Sequence, residues 1–223
     1  MNYYLRYLKE EIVRMKINKN NIKIMVLTGG PCAGKSYGVE ELKRSLSDLN
    51  YNVITIPELA TEIRQNGFIC SKGTVSQIDF QKVIFEMQIF KEDLYKNVMG
   101  KSKQKMILLL DRGLLDGKVY LSDDEFKKIL KIHQLSEEDI LDRYDAIFHM
   151  QSTAVGNAEF YDNLTNQFRF SSPEQARIQE NKTIETWSKH ENFHFIPVEK
   201  NFETKIQNLK ALVLKELEED KKL

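Results

Sequence analysis

Residues 28–36 read Thr28-Gly29-Gly30-Pro31-Cys32-Ala33-Gly34-Lys35-Ser36, and from Gly29 to Ser36 they satisfy the pattern G-x-x-x-x-G-K-[ST]. The context is the one this pattern requires, since an apolar run (IKIMVLT, 22–28) precedes it and a helical pattern (KSYGVEELKRSLSDL) follows. Glycine at its ends permits a tight turn in which consecutive backbone N–H groups converge on phosphate oxygens. Gly29, Gly30, Pro31, Cys32, Ala33 and Gly34 are the expected cradle. Lys35 is expected to reach the β and γ phosphates, and the Ser36 hydroxyl to hold Mg²⁺. Cys32 is read as a structural loop residue.

Outward from the loop, four further apolar runs recur: NVITI (52–56), KMILLL (105–110), DAIFHM (145–150) and FHFI (193–196). Helix-length segments separate them. Val39, Leu42, Leu46 and Leu49 share one helical face, and the 76–98 segment is apolar over so wide a face that it is expected inside the packing interface. Ser122 with Glu125, and Ser136 with Asp139, have the spacing of helix starts. Strands alternating with helices predict an α/β, three-layer domain with a mostly parallel five-stranded sheet. Residues 1–21 are expected to form an N-terminal helical extension, and residues 22–223 one P-loop domain.

Composition narrows the class of protein. The chain has 223 residues, with 33 Lys plus Arg against 33 Asp plus Glu, and 41% hydrophobic residues. That suffices for one core without disulfides or a structural metal. With the longest apolar runs only four to six residues, no transmembrane segment is expected, and the first ten residues lack a secretory h-region. Two cysteines, Cys32 and Cys70, have no zinc spacing. Zero net charge gives no nucleic-acid signature. The expected setting is cytoplasmic.

Candidate chemistry gathers where an open parallel sheet places it, at the carboxyl ends of the strands. Asp111 directly follows KMILLL and is expected to organise Mg²⁺ or accept a proton from an attacking hydroxyl. Glu58 follows Pro57 just past the second strand. It can stabilise a helix start or face an acceptor hydroxyl across the γ phosphate. Asp116, in an Asp-Gly dipeptide, is either functional or part of a turn. Residues 151–177 are polar and lid-like. Within them Arg169 and Arg177 are expected to neutralise charge on the transferred group. Arg64 is an acceptor-side cation candidate. Asn181-Lys182 lacks both the sequence and the context of a guanine-specifying motif. His149 and Trp187 are read as packing residues.

Taken together, GGPCAGKS, PELATEIRQNG, the 76–90 helix with Gln77, Gln81 and Gln88, and LLLDRGLLDG resemble one branch of P-loop NTPases. These are the AAA-type predicted ATPases related to the ribosylnicotinamide kinase domain of the bacterial NAD regulator. The same domain type forms the GTP-binding part of the animal photoreceptor-channel translocation protein. The resemblance spans about residues 22–214 and implies a nucleoside-kinase-like fold. It assigns phosphate binding to Gly29, Gly34, Lys35 and Ser36, and makes Glu58 and Asp111 the acidic groups of the reaction centre. Two functions follow as expectations. One is a Mg²⁺-dependent phosphotransferase moving the γ phosphate of ATP to a small hydroxyl acceptor, such as a nucleoside. The other is a GTP- or ATP-binding switch with slow hydrolysis that acts through a protein partner.

Overall fold

The computed structural model describes residues 21–71, 73–153 and 173–219. The expected N-terminal helix, Arg169 and most of the lid-like segment therefore lie outside the described residues. All five apolar runs are strands: β1 Ile22–Thr28, β2 Asn52–Ile56, β3 Met106–Asp111, β4 Ala146–Met150 and β5 Phe193–Ile196. They pair in the order β2-β3-β1-β4-β5, and every pairing is parallel. The central strands β1, β3 and β4 are buried almost throughout, as strands covered on both faces must be.

The helices are α1 Lys35–Asp48, α2 Leu59–Gln65, α3 Gln77–Met99, α4 Asp123–His133, α5 Glu137–Leu141, α6 Pro173–Trp187 and α7 Phe202–Glu219. A 3₁₀ helix spans Leu114–Tyr120. Both serine-led starts are present, Ser122 capping α4 and Ser136 capping α5, each with the reciprocal acidic contact.

Side chains alternate across the sheet, so β1 feeds two cores. Ile24 and Val26 join Leu108, Leu110 and Ile147 against α2, α3 and α4. Met25 and Leu27 join Leu109, Phe148 and Met150 against α1 and α7. This makes the three layers.

α3 departs in detail from the expectation of a broad apolar face. It does pack in the interface, yet its buried stripe includes Gln81, Gln88 and Glu92, while Phe90, Leu94 and Val98 are exposed. The reason is local. Gln88 and Glu92 face polar chain rather than apolar core: Gln88 Nε2 donates to the Arg112 carbonyl at 3.3 Å and to Glu92 at 2.8 Å. Glu92 in turn accepts from Arg143 and Tyr144.

Candidate active site

Parallel register sets the geometry. Leu27 lies opposite Asp111, so the end of β3 stands beside the loop that leaves β1. Gly29 has φ 137°, and a Cβ there would come within 2.1 Å of the Met150 carbonyl oxygen. Gly34 has φ 87°, and its Cβ would strike the Phe202 ring at 2.6 Å. Both glycines of the motif are thus demanded by conformation and by space. α1 begins at Gly34 with no side chain capping its free N–H groups and no acidic residue in its first turn. That leaves a helix start suited to an anion.

Lys35 is buried, and its Nζ donates to the carbonyls of Gly29 at 3.0 Å and Gly30 at 2.9 Å. Burial, helped by the Arg112 charge, lowers its pKa to about 8. Ser36 Oγ donates to Asp111 Oδ2 at 2.7 Å. Asp111 is raised above the usual carboxylate range, burial and the neighbouring Glu58 charge outweighing the attraction of Lys35. The two residues expected to organise a cation are therefore in direct contact.

Asp111 Oδ1 is buried and has no hydrogen-bond partner among the described residues. An orphaned carboxylate oxygen beside a serine hydroxyl fits a hard cation, which takes oxygen ligands. No cluster of three or more His, Cys, Asp or Glu able to hold a metal occurs among the described residues. A Mg²⁺ ion here would accordingly depend on phosphate oxygens for part of its shell.

Glu58 does not cap α2 with its side chain. Its Oε1 accepts from Arg112 Nε at 2.7 Å and its Oε2 from Thr61 Oγ1 at 2.7 Å. Burial pushes its pKa up, but the Arg112 and Lys35 charges and these hydrogen bonds prevail and hold it down at about 2. Asp116 accepts from Thr28 Oγ1, Arg112, the Gly113 N–H and Trp187 Nε1, at 2.8 to 3.2 Å. It is an organising residue in this structure rather than a surface turn residue. Trp187 packs, as expected, and also holds this carboxylate.

Arg112 is the residue that sequence reasoning passed over. It has φ 79° without being glycine. Its guanidinium bridges Glu58 and Asp116 and approaches the Gly29 carbonyl at 3.3 Å. Such a backbone conformation is costly and persists where surrounding contacts over-determine it. The signal in the sequence was its place directly after Asp111. Glu180 was also missed: its carboxylate is fully buried and accepts from Gly30 N at 2.7 Å, Ser152 N at 3.1 Å and His149 Nε2 at 2.8 Å. A third is Lys205, whose buried Nζ donates to the carbonyls of Ala33 and Gln151 at 2.8 and 2.6 Å. Burial lowers the Lys205 pKa to about 8. Its place three residues after Phe202, beside the apolar stripe of the last helix, was the available clue. Arg177 is exposed on α6, one turn before Glu180. Arg64 lies over the Phe80 ring, 4.8 Å from its centroid.

From Glu58 and Asp111 a narrow cleft runs between α2, α3 and the 3₁₀ helix. Arg64, Gln81, Phe85, Gln88, Gly117, Tyr120 and Phe126 help to line it. Apolar side chains such as Phe85 and Phe126 alternate there with charged and amide groups near the perturbed carboxylates, a mixture compatible with a small-molecule site.

An AAA domain family matches residues 24–205. No curated protein matches the chain significantly. Among solved structures, a NadR protein in complex with NR is similar at TM-score 0.63 and 16% identity, over 87% of this chain and 51% of that one. A NadR protein in complex with NAD and AMP-PNP is similar at TM-score 0.59 and 16% identity, over 87% and 49%. Thymidylate kinase from Ehrlichia chaffeensis gives TM-score 0.52 and 18% identity over 88% of this chain and 99% of that one. The chain thus spans about half the length of the NadR chains. At these identities the likeness is one of fold. With its phosphate loop, its all-parallel sheet and a match over most of its length, the chain belongs to the AAA domain family and has the fold of a P-loop NTPase.

Proposed function

We propose that the protein is a phosphotransferase that moves the γ phosphate of ATP to the hydroxyl of a small acceptor, of which a nucleoside is the leading class. The observation that carries this reading is the cleft that opens on Glu58 and Asp111 beside the phosphate loop. A hydrolytic switch needs room for water there, whereas a cleft that sets Leu59, Ile84, Phe85, Phe126 and Ile129 beside its charged end suits an organic acceptor. Asn181 and Lys182 lie inside α6, which supports ATP over a guanine-specific donor.

The loop amides and Lys35 would grip the triphosphate and hold its γ group against the cleft. Ser36 and Asp111 would hold Mg²⁺, which when bound supplies positive charge to the phosphate oxygens. Glu58, fixed by Arg112 and Thr61, would orient the acceptor hydroxyl. The proton of that hydroxyl would pass to one of these two carboxylates, Glu58 or Asp111. Arg177 and Arg169 remain candidates for stabilising charge on the phosphate in transit.

The test is to incubate the full chain with MgATP and a panel of nucleosides and small alcohols, following ADP and phosphorylated product by mass spectrometry. Acceptor-dependent ADP with a matching phosphorylated product is the expected result. Nucleotide hydrolysis indifferent to every acceptor would replace this reading with the switch.

A further inference from the structure

Glu92 is 2% exposed on α3 and stands behind the wall of the cleft rather than in it. A carboxylate there is a poor choice for packing alone, since an apolar residue would fill the same space without desolvating a charge. Its contacts lead elsewhere. Oε1 accepts from Gln88 Nε2 at 2.8 Å and from the Tyr144 hydroxyl at 3.1 Å, and Oε2 accepts from Arg143 Nη2 at 3.1 Å. Arg143 is tied in turn to Asp93 at 2.6 Å. The two inner partners go on to the turn that follows β3. Gln88 Nε2 also donates to the Arg112 carbonyl at 3.3 Å, and the Tyr144 oxygen accepts the Leu114 N–H at 3.0 Å. Because a carboxylate only accepts, it draws the hydroxyl hydrogen of Tyr144 toward itself and leaves a lone pair for Leu114. Gly113 lies between, where a Cβ would come within 2.8 Å of the Trp187 ring. Arg112, at φ 79°, thus keeps its left-handed conformation in a turn gripped from behind on both sides.

We infer that Glu92 is a positioning residue for phosphoryl transfer: through Gln88 and Tyr144 it holds the Arg112 turn, and so fixes the guanidinium that clamps Glu58 and Asp116. The contacts of Arg112 Nε with Glu58 at 2.7 Å and of Nη1 with Asp116 at 2.9 Å need that turn to keep its course. Once it relaxes, Glu58 loses the bond that aims it at the acceptor hydroxyl. The phosphate loop, held from its other side by Glu180 and Lys205, keeps its grip on the donor. The inference rests on the phosphotransferase reading and extends it to a residue that touches neither substrate.

The experiment compares the full chain with Glu92→Gln, with Tyr144→Phe, which cuts only the Leu114 branch, and with Val213→Ala, a truncation in the opposite core. Two quantities are read: kcat against MgATP affinity, with whichever acceptor the wild type turns over, and hydrogen exchange of the Arg112 Nε–H by nitrogen-15 NMR, assigned with Arg112→Lys. Glu92→Gln should lower kcat about tenfold to a hundredfold while MgATP affinity stays within about threefold. Its Arg112 Nε–H should exchange about tenfold faster or more. Tyr144→Phe should move both readings the same way by less. Val213→Ala should lower Tm and move neither, which separates positioning from loss of stability. On top of Arg112→Lys, Glu92→Gln should cost no further rate, because its effect runs through Arg112. A wild-type kcat in Glu92→Gln, an unchanged Arg112 signal, or a full rate loss added to that of Arg112→Lys overturns the inference and leaves the phosphotransferase reading intact. No turnover with any acceptor overturns both, and the Arg112 signal then shows separately whether Glu92 holds the turn. If Glu92→Gln does not fold, Tyr144→Phe decides by the same readings.

Discussion

Lys35 illustrates how burial and function pull on one group. Its ammonium rests on two loop carbonyls, yet its pKa in the folded chain is about 8, against 10.5 in water. In the free protein the charge is lost as pH rises through 8, and a bound triphosphate favours its return. Affinity for MgATP should thus be flat from pH 6.5 to 7.5 and fall about tenfold by pH 9, with proton uptake on binding near pH 8. Calorimetry in buffers of different ionisation enthalpy measures both, and Lys35→Met should bind weakly with no such pH dependence. Asp111 makes the complementary case. Burial raises its pKa, so its charge costs stability above that pKa, the reverse of a salt-bridged carboxylate. Asp111→Asn should melt at or above the wild-type temperature at pH 7. Turnover should nonetheless fall about tenfold to ten-thousandfold, read at saturating MgATP.

At the scale of elements, α6 holds the phosphate loop from the far side. Glu180 accepts the Gly30 N–H, and Ser152 beside it donates to the Pro31 carbonyl. The carboxylate is kept below its usual pKa; burial opposes this, but the His149 hydrogen bond and charge and the Ser152 and Gly30 N–H groups prevail. Glu180→Gln keeps the shape but supplies only one acceptor oxygen to three donors. It should lower MgATP affinity about tenfold or more and speed amide exchange around Gly30, whereas an exposed control, Glu185→Gln, should do neither. The elements themselves were largely legible in the sequence. Strands buried on both faces appear as short apolar runs, and Ser122 and Ser136 announce their helices. The loop was legible too, because eight consecutive residues carry it. What could not be read was the set of long-range partners. Arg112 finds Glu58 54 residues away, and Gly30 finds Glu180 150 residues away. No local periodicity encodes such meetings. The polar stripe of α3 was legible only in part for a related reason: Gln81 and Gln88 carry the family resemblance, but their burial alongside Glu92 depends on the distant chain they face.

At the scale of the whole molecule, the two cores share their strands. Ile24 and Val26 belong to one and Met25 and Leu27 to the other, so neither face of the sheet can come apart while β1 stays ordered. The protein should unfold in one cooperative transition. MgATP at a hundred times its Kd should stabilise it by about 2.7 kcal/mol and raise Tm by about 5–10 °C. Differential scanning calorimetry checks this, and two separated transitions, or no shift with nucleotide, would count against it. Among the described residues no helix is long and apolar enough to cross a membrane.

Trp187 is the chain's single tryptophan, fully buried, with its indole N–H on the carboxylate that also holds Arg112. The unlabelled protein therefore carries its own optical reporter, one shared oxygen pair away from the reaction centre. Its emission should be blue-shifted in the folded chain, and a rearrangement of Arg112 as ligands arrive should perturb the indole through Asp116. Stopped-flow fluorescence can then time donor and acceptor arrival in separate mixes, with no dye attached and no residue changed.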